Sequence, residues 1–446
     1  MEKRESLTSI AEPTTPFVDS LIRIAIIICL FFIGYASIQG EVFEPVYYAV
    51  RSVQWSQIII RPSLLWIVMG LLLLTFRTVM WLLYRPRPSA EPDEAPFISV
   101  IIPAYNEGEM VRKTIDSVIA DNYPHDKLEI FVIDDGSKDN TWQYIRSSAI
   151  QYSDLIKAIR FPTNRGKRAA LEEGFRQAHG EIVVTIDSDS AIERGTLLAI
   201  AAPFKNPKVG AVAGKVAVYN RYQGLIPRML HVRFILSFDF LRAAQSTYGT
   251  VYCCPGALSA YRLSVVRDVL EDWINQKFLG KQCTYGEDRS LTNFILAKGF
   301  NSVYQRTAVV HTIVPWTYEK LYKMYLRWNR SYIREEIVFA RIVWKRPLGV
   351  CIVALWDKII TNMRFPVNYA SITLLIILTV NDPMTILRLM FAMGMISCFH
   401  MLYYLHSEHS WDFVYGILYV YFSFFTLFWI FPYAAITLRS RSWMTR

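Results

Sequence analysis

Two blocks of nearly continuous apolar sequence bracket a stretch of ordinary mixed polarity, residues 85–345, and this restricts the chain to a folded domain held between hydrophobic helices. In the first block Leu21–Ile38 is apolar after Arg23, and Leu64–Tyr84 is apolar apart from Thr75, Arg77 and Thr78. Each is long enough to cross a hydrocarbon layer ~30 Å thick as a helix. A cleavable leader is the poorer reading: a second span follows soon after, and the tail MEKRESLTSIAEPTTP sets no basic cluster beside the apolar run. The second block holds three runs, Phe365–Val380, Met384–Leu405 and Phe413–Thr437.

Lysine and arginine say which side the middle faces. YRPRP follows the second span and RWNRSYIREE with RIVWKRP precedes the later ones, so the positive-inside bias puts the domain in the cytoplasm and the loop Gln39–Arg61 outside. The basic end LRSRSWMTR prefers the same side, which needs an even number of crossings after the domain, whereas three apolar runs are present. The last contains Pro432 and reads as one bent span or a re-entrant segment. At 53% hydrophobic and 14% aromatic the chain is no disordered polymer, and its net charge of +10 lies largely beside the apolar blocks. Basic residues there meet anionic headgroups, so the bilayer is the expected partner and nucleic acid is not. The six cysteines form no C-x-x-C pair and no metal-ligand spacing with the seven histidines, which excludes a structural zinc site.

Within the middle, FISVIIPAYNE is a short apolar run with the look of a buried parallel strand, and Met110–Ala120 follows as a helix. LEIFVIDDGS is a second such strand, TWQYIRSSA a helix, and EIVVTIDSDS a third strand after NRGKRAALEEGFRQAHG. Strand, helix, strand, helix, strand predicts a doubly wound α/β sheet, whose ligands bind at the carboxyl ends of the strands. Asn106, Asp134, Asp135, Asp187 and Asp189 all fall there. With no G-x-G-x-x-G and no Walker A sequence, a dehydrogenase or P-loop ATPase is disfavoured. Acids at strand ends instead suit a divalent cation on a nucleotide diphosphate, and Asp-x-Asp offers hard oxygen ligands for magnesium or manganese.

In order, PAYNE, VIDDGSKDNT, NRGKR, DSDS, GEDRSLTN and RWNRSYIRE resemble the processive family 2 glycosyltransferases. The pattern is most similar to hyaluronan synthases and rhizobial chitooligosaccharide synthases, with cellulose synthase more distant, and runs from about Val100 to Glu336. The resemblance implies a cytosolic GT-A domain inserted between transmembrane helices, that is, an α/β fold plus transmembrane α. It also implies an inverting enzyme that polymerises a β-linked polysaccharide from a UDP-sugar and extrudes it. UDP-N-acetylglucosamine is the first expectation, with UDP-glucuronate as a second donor, and a growing polysaccharide is the acceptor. On this resemblance Asp288 is the base and Asp189 the ligand of Mn2+ or Mg2+. Tyr105, Glu107, Asp135, Lys167, Arg168, Asp187 and Arg327 lie at the nucleotide; Gly256, Ala257, Glu287 and Trp328 lie at the acceptor. SWMTR resembles a Trp-Gly-Thr-Arg element and adds Trp443 and Arg446 on the nucleotide side.

The chain departs from that pattern in three places. Met324 stands where the Gln-x-x-Arg-Trp signature has glutamine, YCCPGALSAYR carries Pro-Gly where relatives carry Gly-Pro, and Met444 replaces a glycine. A thioether donates no amide hydrogen bond, so the acceptor or diphosphate contacts must be rearranged, or supplied by Lys323 or Tyr325. Cys253 and Cys254 read as packing residues. Aromatics in the apolar blocks, among them Trp66, Trp81, Tyr369, Tyr403 and Trp429, are interfacial anchors or sugar-stacking surfaces, and Arg77 either snorkels or faces a polar passage. The expected organisation is residues 1–84 with a tail and two spans, 85–310 catalytic, 311–363 amphipathic interface helices bearing the Arg-Trp motif, and 364–446 with the later spans and basic tail. Rival readings are single-sugar transfer to a lipid phosphate and a catalytically silent export component.

Overall fold

The computed structural model describes residues 56–381 and 384–439. The expected span Leu21–Ile38 and the candidates Trp443 and Arg446 lie outside the described residues. Two compact units are formed, one by 76–357 with 428–439, the other by 56–75 with 358–427.

The first unit is built on an eight-stranded sheet. β1 (Ile98–Ala104) and β2 (Leu128–Asp134) are buried along every residue, as parallel strands covered on both faces must be. β3 (Ile156–Arg160) pairs parallel with β2, and β4 (Ile182–Ile186) pairs parallel with β1 on its other side. Helices Met110–Ile119, Thr141–Gln151 and Lys167–Gln177 make the crossovers. β5 (Ser190–Ile192), β6 (Val209–Val218), β7 (Leu258–Arg262) and β10 (Asn301–Thr312) complete the sheet, while β8 (Lys277–Phe278) and β9 (Lys281–Gln282) form a separate hairpin. The strand order is β3-β2-β1-β4-β7-β6-β10-β5. The winding direction changes between β1 and β4, which opens a crevice at their carboxyl ends.

The sheet is more mixed than the expected doubly wound one. β7 runs antiparallel to both β4 and β6, and β5 antiparallel to β10. The reason is the route of the chain after β6: it passes through helix Leu225–Ile235 and the π-helical turn Leu236–Arg242, then re-enters against its former direction. β3 also escaped the sequence reading, because its pattern of one buried residue followed by exposed and half-exposed ones is that of an edge. The expected boundary at 310/311 falls inside β10.

Beyond the sheet, helix Glu287–Ala297 is followed by β10 and then by helix Tyr318–Ile342, capped by Thr317, whose hydroxyl accepts the Lys320 amide. Helix Ser56–Leu83 covers the expected second span. Helix Leu348–Asn381 begins well before the expected Phe365 and keeps Pro366 inside it. Among the described residues, Leu348–Val380 is the one helix long and apolar enough to cross a membrane; helices Phe413–Thr426 and Ile430–Ile436 make a second if taken as one broken span. Helix Met384–Glu408 occupies the run between them.

Candidate active site

At the crevice, the turns after β1 and β2 are stitched together by polar groups. Asn106, in the left-handed region at φ 54°, accepts the Lys138 amide through Oδ1 (2.9 Å) and donates its own amide to Ser137 Oγ (2.9 Å). The Glu107 amide donates to Thr141 Oγ1 (2.8 Å), so Tyr105 and Glu107 sit on a braced loop after β1. Asp134 is fully buried, accepts the Ser137 amide (3.0 Å) and faces Arg160 (3.2 Å). Asp135 accepts the Arg165 amide on Oδ1 (2.7 Å) and the Gly166 amide on Oδ2 (2.8 Å), fixing the loop that leads to Lys167. Burial nonetheless leaves the Asp135 carboxyl above its usual range, against the pull of those two amides.

The second cluster has another character. Lys167, at the start of its helix, bridges two carboxylates: it is in close contact with Asp187 Oδ1 and lies 3.2 Å from Glu287 Oε1. Asp187 follows β4, and Glu287 opens helix Glu287–Ala297, so one ammonium ties the sheet to that helix. Burial pushes Glu287 upward, but Lys167, a backbone hydrogen bond, Arg327 and Arg168 outweigh it and hold the group below its usual range. Asp288 goes the other way: burial first, then the neighbouring Glu287 charge, raises it despite Lys167 and the Arg289 amide, which donates to Oδ1 (2.7 Å). Two adjacent carboxyls are thus driven apart, one fixed as an anion and one made more basic, the separation of roles that acid–base chemistry uses.

Asp189 is raised to about 6 by burial and by Asp187, against Lys167 and the hydroxyls of Ser190 and Thr312, which donate to its Oδ1 (3.2 and 3.3 Å). The Lys167 charge and the two hydroxyls do not bring Asp189 down to its usual range, and hard carboxylate oxygens two residues apart fit Mn2+ or Mg2+. Among the described residues no group of three histidine, cysteine or acidic side chains is gathered as a cage. Such a cation would therefore take most of its ligands from the diphosphate and water.

Lys167, Thr185, Asp187, Gly256, Glu287 and Asp288 line one pocket. A Cβ on Gly256 would come within 2.6 Å of Lys167 Nζ and 3.3 Å of Asp187 Oδ1, so the expected acceptor-side glycine lies directly on the Lys167–Asp187 pair. Ala257, beside it, is buried. Arg327 is near enough to Glu287 to lower its pKa, and Trp328 is 41% exposed, with Phe234 and Tyr325 rings at 6.1 and 5.6 Å. Met324 is buried, which explains how a thioether serves on the inner face of that helix.

Arg168 does not join the pocket. Its guanidinium packs on the Trp273 ring at 4.8 Å and donates to the Trp273 carbonyl (2.5 Å), so it braces the underside of the site. Cys253, expected only to pack, reaches the Asp288 carboxyl: its Sγ donates to Oδ2 at 3.5 Å, and burial with the Asp288 charge pushes the thiol up to about 11. Gly286 was also missed. It lies at φ +72°, and a Cβ there would meet Ser331 Oγ at 2.0 Å and Arg334 Nη2 at 3.0 Å. The glycine before the acids was visible in the sequence; the helix it abuts was not.

The mixed sheet with its crevice at the carboxyl ends of β1 and β4 is the GT-A glycosyltransferase fold. A model of the glycosyl transferase family 2 matches residues 99–270. The hyaluronan synthase of Streptococcus pyogenes is 34% identical over 297 residues, covering 65% of this chain and 69% of that protein. An N-acetylglucosaminyltransferase of Rhizobium meliloti is 34% identical over 279 residues, covering 61% and 65%. In fold, a mannosyltransferase from Pyrobaculum calidifontis, solved with GDP-mannose and Mn2+, superposes with a TM-score of 0.57 at 21% identity over 80% of this chain and 97% of that one. The chain belongs to glycosyltransferase family 2 and resembles its hyaluronan synthase and rhizobial N-acetylglucosaminyltransferase members.

Proposed function

We propose that this glycosyltransferase polymerises a β-linked polysaccharide from a UDP-sugar by inverting transfer, with UDP-N-acetylglucosamine as the donor and UDP-glucuronate as a candidate second one. The observation that carries the reading is the division between Glu287 and Asp288 at the pocket: a carboxyl made more basic stands beside one held ionised by Lys167. Asp288 takes the proton of the acceptor hydroxyl as that oxygen forms its bond to the anomeric carbon. The bond from that carbon to the UDP oxygen breaks on the opposite face, and its electron pair leaves with the diphosphate. Arg327 and Lys167 offset the charge growing on the leaving group, where fixed positive charge in a site shielded from water acts strongly. Asp187 and Asp189 would hold Mn2+ or Mg2+, which supplies further neutralisation of the diphosphate when bound. Gly256 brings the backbone against the Lys167–Asp187 pair, and the exposed Trp328 offers a sugar ring a face.

The name of the Rhizobium relative supports N-acetylglucosamine as a transferred unit, and that of the Streptococcus relative supports a polysaccharide product. Helix Leu348–Val380 supports anchoring in a bilayer, with the expected spans around it completing a multi-pass protein whose catalytic unit faces the cytoplasm and whose product is extruded. The test is UDP release by the detergent-solubilised full chain with Mn2+ or Mg2+, with UDP-sugars offered singly and in pairs and Asp288→Asn as control. A long product from one donor supports a homopolymer, and dependence on two supports an alternating copolymer. A single sugar added to a lipid phosphate, or no release from any donor by folded protein, overturns the proposal.

A further inference from the structure

The first two turns of the helix that carries Asp288 are held from behind by side chains that the chemistry above does not use. Arg334 Nη2 donates to the Tyr285 carbonyl (2.6 Å), immediately before Gly286, and Arg334 Nε donates to Glu335 Oε1 (2.7 Å). Glu335 is 1% exposed and carries three further hydrogen bonds: Gln276 Nε2 to Oε1 (3.1 Å), Asn293 Nδ2 to Oε2 (2.9 Å), and the same Asn293 amide to its backbone carbonyl (3.0 Å). Gln276 Oε1 in turn accepts Ser290 Oγ (2.7 Å). Tyr285, Ser290 and Asn293 thus bracket Asp288 in sequence, and each is bonded to the Arg334–Glu335 pair directly or through Gln276.

Arg334 and Glu335 belong to helix Tyr318–Ile342, which two turns earlier, about 10 Å along its axis, carries Arg327 and Trp328. An apolar contact between the two helices would be without direction and would tolerate sliding, whereas the hydrogen bonds that Arg334 and Glu335 make outside their own helix with Tyr285, Gln276 and Asn293 are directional and fix the register. Gly286 agrees with this, since any Cβ there would strike Ser331 and force the helices apart.

We infer that Arg334 and Glu335 are positioning residues that fix the base Asp288 relative to Arg327 and Trp328. They touch neither donor nor acceptor and act through the spacing of the two helices. The inference rests on the reading of Asp288 as the base. Its consequence is selective: loosening the pair displaces the base while the Asp135 loop, held by the Arg165 and Gly166 amides, stays in place, and a displacement of about 1 Å is enough for a loss of about a hundredfold in rate.

The experiment uses the full chain in detergent, with Glu335→Gln, which keeps the shape and removes the charge, and Asn293→Ala, which strands no charge. UDP-release kinetics and amide hydrogen exchange are measured on both. Expected for Glu335→Gln are a fall in kcat of about tenfold or more, a donor KM within about twofold of the parent, and faster exchange confined to residues 285–293. Asn293→Ala shows the same pattern more weakly and decides the matter if Glu335→Gln does not fold. The inference is overturned if kcat stays within about twofold, if KM rises as kcat falls, or if exchange quickens across the sheet as well. If the parent protein itself releases no UDP, the function proposed above fails on its own. The exchange arm separates the two failures: unchanged protection at 285–293 in the variants overturns the positioning role itself, whatever the activity of the parent.

Discussion

Asp134–Asp135 and Asp187–Asp189 look alike as sequence, two acids at the end of a buried strand, yet their surroundings differ. The carboxylates after β2 are answered by neighbours: Asp135 by two amides, Asp134 by an amide and Arg160. Those after β4 face Glu287 and Asp288 with Lys167 as the cation between them. The first pair has its charge compensated and serves as the joint of a loop. The second lies beside two further carboxyls around one ammonium; burial and the Glu287 charge make Asp288 more basic, and burial with the Asp187 charge raises Asp189. The satisfied acids hold the loop, and on the proposed function the crowded ones perform the chemistry.

If that division is right, the largest effects fall on the crowded side. Asp288→Asn is expected to lower turnover about a thousandfold while UDP affinity and thermal unfolding stay close to the parent's, because an amide keeps the shape and cannot accept the proton. Next comes Lys167→Met, with an expected loss of about a hundredfold. It also moves the pH profile. Lys167 lowers Glu287, Asp288 and Asp189, so its removal raises all three; a base works only when deprotonated, and the acid limb of the kcat profile therefore shifts to higher pH. Equal losses in Asp135→Asn and Asp288→Asn, or an unmoved acid limb in Lys167→Met, would break the distinction.

The sequence displays these regions unequally for physical reasons. Strands whose every residue is buried announce themselves as apolar runs, so β1, β2 and β4 were legible, along with the acids at their ends. β7 hides behind the Cys-Cys-Pro-Gly turn, and β3 is an edge that does not alternate cleanly. Asp288 and Asp189 were legible as motif positions. What separates Glu287 from Asp288 was not, since it is set by Lys167, 120 residues upstream, arriving from another strand–helix unit. Arg168 adjoins Lys167 in sequence, and only the helical turn sends one to the pocket and the other beneath Trp273. Cys253 and Gly286 take their meaning from a carboxylate and a helix that no local pattern identifies.

Asp135→Asn tests the satisfied side. An amide side chain can accept one of the two backbone N–H groups but turns its own NH2 toward the other, so the loop before Lys167 loses a charge-assisted hydrogen bond and gains a misfit. The expected cost is about 2 kcal/mol of stability, with donor KM raised several-fold and kcat changed less. Denaturant unfolding beside steady-state kinetics would sharpen the comparison, since the same substitution at position 288 should give the opposite pattern.

The smallest effect is on the stability of the metal-free protein. Asp189 titrates at about 6 in the folded chain against an ordinary 3.8, so folding favours its protonated form. Its contribution is fully present below about pH 4 and is lost as pH rises through about 6, leaving the ionised carboxylate as a burden near neutrality. Asp189→Asn removes that burden and should stabilise the metal-free protein at pH 7.5 by something on the order of 1 kcal/mol, and by nothing at pH 4. Mn2+ should reverse the ranking, raising the melting temperature of the parent and leaving the variant where it was. A variant less stable than the parent at pH 7.5 without metal would show that the Ser190 and Thr312 hydroxyls already compensate Asp189, which would place it with the satisfied acids rather than the crowded ones.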